Sequence, residues 1–167
     1  MSYIFDLDQT LVDSRIAEEY RKRREWKTVY SLISQFKLYE GLEEVFEILR
    51  KKGQKICVVT SSPESYCNAI LKNFDLQVDY KVCYHDTKYH KPYPDPILKA
   101  LELMNENGNN VISIGDADND IIASNKAGVI SCLALWGRED KSRSENADIV
   151  FENVEELKNY ILKRNEE

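Results

Sequence analysis

The chain has 167 residues, with 23 Lys and Arg set against 29 Asp and Glu for a formal charge of −6; this suits one domain with one substantial core and makes nucleic acid an unlikely bulk partner. It shows no apolar run of membrane-spanning length and no charged-then-apolar leader before the first strand, so the expectation is a soluble, cytoplasmic protein without a membrane partner. Cys57, Cys67, Cys83 and Cys132 are widely spaced, with neither a Cys-x-x-Cys pair nor a zinc spacing, and read as reduced, buried thiols rather than disulfides.

Ser2 to Phe5 opens the chain as a short strand of β-forming residues, and it ends on two carboxylates one residue apart, Asp6 and Asp8. If the strand ran on, both would point to the same face. Two acids aimed at one point repel unless a cation sits between them, and a hard divalent ion such as Mg²⁺ takes oxygen ligands while leaving room for water and phosphate. An Asx turn at the strand end is the plainer explanation of either Asp alone. A calcium loop is excluded, because Leu11 and Ala17 stand where that loop needs Gly and Glu.

From Ser14 to about Leu38 the sequence carries a loosely helical apolar stripe of Ile16, Tyr20, Tyr30, Ile33 and Phe36, interrupted by the basic run Arg21-Lys22-Arg23-Arg24. Tyr39-Glu40-Gly41 breaks it. Leu42 to Lys52 is an amphipathic helix stopped by Gly53. Lys55 to Thr60 follows as a continuous apolar strand of the kind buried on both faces of a parallel sheet. A helix is expected from Ser61 to about Lys72, a weaker strand over 79–84, and a helix from Pro94 to near Met104. Next come a buried strand at 111–114, a helix over 117–126, strands at 129–135 and 147–150, and a last helix over 154–163. Strands alternating with helices at this spacing make a doubly wound three-layer α/β/α sandwich with a mainly parallel sheet.

In such a sheet ligands bind outside the carboxyl ends of the strands, which selects the loops at 6–10, 60–62, around Lys91 and 115–120. Thr60 and Ser61 offer hydroxyls and backbone N–H groups to a phosphate oxygen, although taken alone they are more simply explained as capping the next helix. Lys91 is a point charge suited to neutralising phosphate. Asp116 and Asp120, with Asp118 between them, lie four apart at a helix start and share a face. His85 and His90 lack a ligand partner at useful spacing and read as surface residues.

Taken together, Phe5-Asp6-Leu7-Asp8-Gln9-Thr10-Leu11-Val12-Asp13-Ser14, Val58-Val59-Thr60-Ser61-Ser62, Lys91-Pro92-Tyr93-Pro94-Asp95-Pro96 and Gly115-Asp116-Ala117-Asp118-Asn119-Asp120 with Ala127-Gly128 resemble the haloacid-dehalogenase superfamily of phosphohydrolases. The last two elements look most like its phosphoglycolate-phosphatase and β-phosphoglucomutase branch. The resemblance implies a Rossmann-like core and an Mg²⁺-dependent phosphomonoester hydrolase acting on a phosphorylated small molecule or macromolecule. It implies Asp6 as the nucleophile that becomes an aspartyl-phosphate, and Asp8 as the acid and then base. It also implies a metal held by the Asp6 carboxylate, the Asp8 main-chain carbonyl, Asp116 and Asp120. Thr60 and Lys91 would hold phosphate, Lys91 would restrain Asp6, and Thr10 would orient the first loop. Four ionised acids exceed Mg²⁺ plus Lys91 by one charge, so a further proton is expected, with Asp8 its natural carrier.

Two departures stand out. Gln9 occupies the usual Gly position, and the segment 14–38 is far shorter than the helical cap of that branch, so one domain over 1–167 with a reduced insertion and an open pocket is expected. A phosphotransferase or mutase on the same scaffold, and a non-catalytic phosphate-binding protein, are the alternatives. The run Arg21 to Arg24 is either a solvated helix face or a steering patch for an anionic substrate, whose effect would fade with salt.

Overall fold

The computed structural model describes residues 1–142 and 144–164. Eight strands alternate with seven α-helices among them: β1 Ser2–Phe5, β2 Val12–Asp13, α1 Glu18–Lys22, α2 Trp26–Leu32, β3 Lys37–Leu38, α3 Leu42–Lys51, β4 Ile56–Val59, α4 Glu64–Asn73, β5 Tyr80–Val82, α5 Asp95–Met104, β6 Val111–Gly115, α6 Asp118–Lys126, β7 Ile130–Ala134, β8 Ile149–Phe151 and α7 Val154–Arg164. Six strands form one parallel sheet in the order β5-β4-β1-β6-β7-β8. The chain builds outward from β1 to β4 and β5 on one side, then returns to β6 on the other. The ends of β1, β4 and β6 therefore flank the point where the winding reverses, which is where such sheets bind ligands.

Alternation along the strands divides the core between two faces. Tyr3, Phe5, Ile56, Val58, Ile112 and Ile114 pack with α3, α4 and α7 residues such as Val45, Phe46, Ile70 and Leu157. Ile4, Cys57 and Val59 face the other way, against Ile97, Ala100, Met104 and Ala123 of α5 and α6. The strands are thus buried on both sides, as their unbroken apolar runs predict, and the expected doubly wound fold is the observed one. All four cysteines are buried and free. Among the described residues no helix is long and apolar enough to cross a membrane.

The segment after the first motif differs from one continuous helical stripe. β2 and β3 pair antiparallel at its base, and between them the chain makes a 3₁₀ turn at Arg15–Ala17, α1, α2 and a second 3₁₀ turn at Ile33–Gln35. The break between the helices falls at Arg24, with a left-handed φ of 56°. Ala17, Val29, Ile33 and Phe36 are buried in the main core, while Trp26, Tyr30 and Phe36 surround the ring of Tyr66 on α4 at centroid distances of 5.8, 6.5 and 6.4 Å.

Candidate active site

β1 ends at Phe5, so the loop that follows, rather than strand alternation, places the two acids of the first motif. The Asp6 N–H still donates to the Ile114 carbonyl at 2.9 Å, after which the N–H groups of Leu11 and Val12 turn back onto the Leu7 carbonyl at 2.9 and 3.3 Å. The turn passes through Gln9 at φ 62°, a region that favours Gly. Here the side chain compensates. Gln9 Nε2 donates to Ser14 Oγ at 3.3 Å, and Gln9 Oε1 accepts from the Ser14 N–H at 3.4 Å and the Tyr39 hydroxyl at 3.3 Å.

Asp6 faces Asp116 and Asp120, and carboxylate oxygens of the three lie within 4.8 Å of one another. Lys91, with its side chain 7% exposed, reaches Asp6 Oδ1 at 3.0 Å and Asp120 Oδ1 at 2.5 Å, and also donates to the Val59 carbonyl at 2.9 Å. The Thr10 hydroxyl, fully buried, lies 3.2 Å from Asp116 Oδ1 and 3.5 Å from Asp6 Oδ2, so it bridges the first and last motifs. Asp120 Oδ2 accepts the Ala117 N–H at 3.0 Å, at the start of α6. A Cβ on Gly115 would collide with the Asp120 side chain, which explains a glycine at the end of β6.

Burial and the Asp120 carboxylate raise Asp6 well above the usual carboxylate range, against the opposing pull of Lys91. Burial likewise raises Asp116. Lys91 shows the converse: burial disfavours its charge, yet Asp120 and Asp6 more than offset this and lift it above its ordinary value. Three carboxylates against one ammonium leave an excess of negative charge on hard oxygen ligands, and a divalent cation such as Mg²⁺ fits that donor set.

Asp8 turns away from this cluster. Its Oδ1 accepts from Tyr66 Oη at 2.6 Å and Ser14 Oγ at 2.5 Å; its Oδ2 pairs with Arg21 Nη1 at 3.0 Å and lies 3.5 Å from Ser62 Oγ. Each of these partners can present a donor to the Asp8 carboxyl group. Crowding of like charges adds to burial in raising the proton affinity of Asp6 and Asp116.

Asp6, Asp8, Thr60, Ser61, Lys91 and Asp120 all line one cavity of about 550 Å³, within the usual range for ligand sites. Thr60 is buried and Ser61 exposed. The Thr60 N–H, expected to be open to phosphate, is committed to the Val82 carbonyl at 2.9 Å, and the neighbouring Ser62 N–H is engaged by Thr60 Oγ1 at 3.1 Å. The opposite wall comes from the insertion, through Arg21, Lys22, Arg24 and Trp26. Arg23 turns outward, to Glu25 at 3.5 Å and over the Tyr20 ring. His85 is exposed, yet it and Tyr84 also line the cavity, and His90 stacks on Tyr84 at 4.3 Å.

Sequence reasoning missed the residues that fix Asp8 and the loops. Ser14 lay in plain view at the end of the first motif, whereas Tyr66 sits on a helix face that reads simply as core. Beyond β7, Trp136 Nε1 donates to the Thr10 carbonyl at 2.9 Å and Arg138 Nη1 to the Asp116 carbonyl at 2.7 Å, pinning the loops after β1 and β6. Arg21 belongs to the basic run singled out in the sequence, but no spacing tied it to Asp8.

Residues 16–134 match the family described as haloacid dehalogenase-like hydrolase. That stretch contains Thr60, Lys91, Asp116 and Asp120, and Asp6 and Asp8 precede it. The chain is 34% identical over 103 residues to the phosphoglycolate phosphatase of Aquifex aeolicus, covering 60% of this chain and 48% of that protein. It is 29% identical over 123 residues to the pyrophosphatase PpaX of Bacillus mycoides, covering 71% and 57%. The chain spans about half the length of these curated relatives. In three dimensions it superposes on CbbY from Rhodobacter sphaeroides in complex with phosphate, with TM-score 0.82 and 16% identity over 93% of this chain and 95% of that one, a likeness of fold.

Proposed function

This chain belongs to the haloacid dehalogenase-like hydrolase family, and on that premise we propose that it is a Mg²⁺-dependent phosphomonoester hydrolase working through an aspartyl-phosphate on Asp6. The observation that carries the reading is the convergence of Asp6, Asp116, Asp120 and the buried Lys91 in one cluster, from which Asp6, Asp120 and Lys91 line a cavity shared with Asp8. Relatives named as a phosphatase and a pyrophosphatase agree with chemistry at phosphorus.

Asp6, Asp116 and Asp120 would hold the divalent cation, with the Asp8 main-chain carbonyl as the further ligand that the family resemblance implies; when bound, the ion compensates charge on the phosphoryl oxygens. An Asp6 oxygen forms the bond to phosphorus as the bond to the leaving oxygen breaks, and Asp8 delivers a proton to that oxygen. In the second half Asp8 takes a proton from water, whose oxygen bonds to phosphorus and releases Asp6. Lys91 holds Asp6 in line and balances the incoming phosphate, and Thr60 and Ser61 line the same cavity. The insertion over 14–38 acts as a reduced cap, a side wall that leaves the mouth accessible to a phosphorylated substrate. Four free buried thiols suit a cytoplasmic setting.

The test is hydrolysis of an aryl phosphate with Mg²⁺ and with EDTA. Turnover should require the metal and disappear in Asp6→Asn, which preserves size but removes the nucleophile. Near wild-type turnover in that variant would end the aspartyl-phosphate reading.

A further inference from the structure

We propose that Arg21 is a specificity-determining residue: held on Asp8 in the free protein, its guanidinium transfers to a second anionic group on the leaving side of the substrate. Phosphate esters bearing such a group are thereby preferred over neutral ones. The inference rests on the phosphohydrolase reading of the same cavity.

Arg21 differs from the basic residues beside it. Its side chain is 18% exposed, against 61% for Lys22 and for Arg23, and it lines the cavity together with Asp6 and Asp8. The guanidinium sits 5.9 Å from the centre of the Tyr66 ring, with Nη1 on Asp8 Oδ2 at 3.0 Å and Nη2 3.4 Å from Ser14 Oγ. Its Nε is buried and has no hydrogen-bond partner. An unpaired buried N–H is costly, and an oxyanion reaching the fork would satisfy it. Carboxylate and phosphate both match guanidinium geometry in the two-pronged way that a point charge cannot.

The arrangement around Asp8 points the same way. A carboxylate offers about four lone-pair sites, and four donors surround Asp8: Tyr66, Ser14, Arg21 and Ser62. For Asp8 to meet the leaving oxygen, one donor must withdraw. Tyr66 and Ser14 are fully buried and fixed in the core. Arg21 instead projects from α1, a helix of five residues on the cavity wall, on a long side chain with several rotatable bonds. Ser62, at 3.5 Å, is a marginal partner whose departure would free little, so Arg21 is the strong donor able to leave, and an anion on the leaving group is what would draw it off. Substrate recognition and exposure of Asp8 then become one event, confined to esters with a second negative charge near the scissile bond.

Two matched pairs of esters test this: phospholactate against its neutral carboxamide, and ethylene glycol bisphosphate against ethylene glycol monophosphate. Wild type should favour the more anionic member in kcat/KM by roughly 10-fold to 100-fold, the range of a charged hydrogen bond. Preference for only one pair identifies carboxylate or phosphate as the recognised anion. Arg21→Met should bring the ratio near unity, and Arg21→Lys, which keeps charge without the fork, should leave it in between; thermal melts confirm that both are folded. Calorimetric binding of the same pairs to Asp6→Asn, with and without Arg21→Met, reads the preference apart from turnover. An Arg21-dependent binding preference sustains the inference even where hydrolysis fails. A wild-type ratio near one, a ratio that survives Arg21→Met, or an equal fall for both members of a pair would overturn it, the last because it would show Arg21 merely bracing Asp8.

Discussion

Burial and the Asp120 carboxylate raise the proton affinity of Asp6, and burial raises that of Asp116, and the sign of the consequence is fixed. Both start from an ordinary value of 3.8 in the unfolded chain, so the folded chain retains protons that the unfolded chain has lost. Their contribution to stability is full below that value and is lost as pH rises through the raised pKa values. A divalent cation that binds the ionised cluster must displace those protons at acid pH and need not at alkaline pH. Added Mg²⁺ should therefore raise the melting temperature more at about pH 8 than at about pH 5, and an equal shift at both would remove the cluster as the metal site. Asp116→Asn relieves repulsion while keeping an oxygen for the Thr10 hydroxyl, so it should melt higher than wild type in EDTA and lose the Mg²⁺ response. Gln9 gives a second residue-level contrast. Its left-handed turn is strained for any side chain, and its amide offsets this through Ser14 and Tyr39. Gln9→Ala, which keeps the strain and loses the bonds, should destabilise by about 1 kcal/mol more than Gln9→Gly, which loses both; chemical denaturation of the two variants measures the order.

At the level of elements, α4 joins the insertion to the chemistry, because the Tyr66 ring receives Trp26, Tyr30 and Phe36 while its hydroxyl reaches Asp8. The two roles separate by mutation. Tyr66→Phe should keep the packing but lower kcat on an alkyl phosphate by about tenfold, with a smaller effect on an aryl phosphate whose leaving group needs no proton. Tyr66→Ala should also cost about 3–5 kcal/mol of stability, as loss of a large buried aromatic does. Similar losses of kcat on both esters in Tyr66→Phe would deny the hydroxyl its part in placing Asp8. The strands were legible because a sheet covered on both faces demands unbroken apolar runs, as at Ile56–Val59 and Val111–Gly115. The insertion was less so. Its helices part at Arg24 with neither Gly nor Pro to mark the break, and β2 and β3 are too short to show alternation. Asp6, Lys91, Asp116 and Asp120 could be placed at strand ends from order alone, but the donors around Asp8 come from three separate segments and no spacing connects them.

Over the whole molecule, a formal charge of −6 and an acidic cavity floor oppose the approach of any phosphorylated substrate. The basic run on the insertion supplies the local exception. In sequence it is one block of four charges, but helical geometry deals them to different places. Arg21 goes inward to Asp8, Lys22 and Arg24 line the cavity beside it, and Arg23 turns away to Glu25 and Tyr20. Lys22 is partly balanced by Glu18 and Glu19 at 3.1 Å each, pairs that are exposed and weak in water. The positive field at the mouth therefore rests on Lys22 and Arg24, distinct from the direct contact assigned to Arg21. A field of exposed charges acts on encounter and is screened over about 8 Å at physiological ionic strength. Replacing Lys22 and Arg24 together by Gln should lower kcat/KM at low salt with little change in kcat, and wild type and variant should converge as salt rises. A gap that persists unchanged in high salt would mean that these side chains touch the substrate, and no gap at low salt would return them to a solvated helix face.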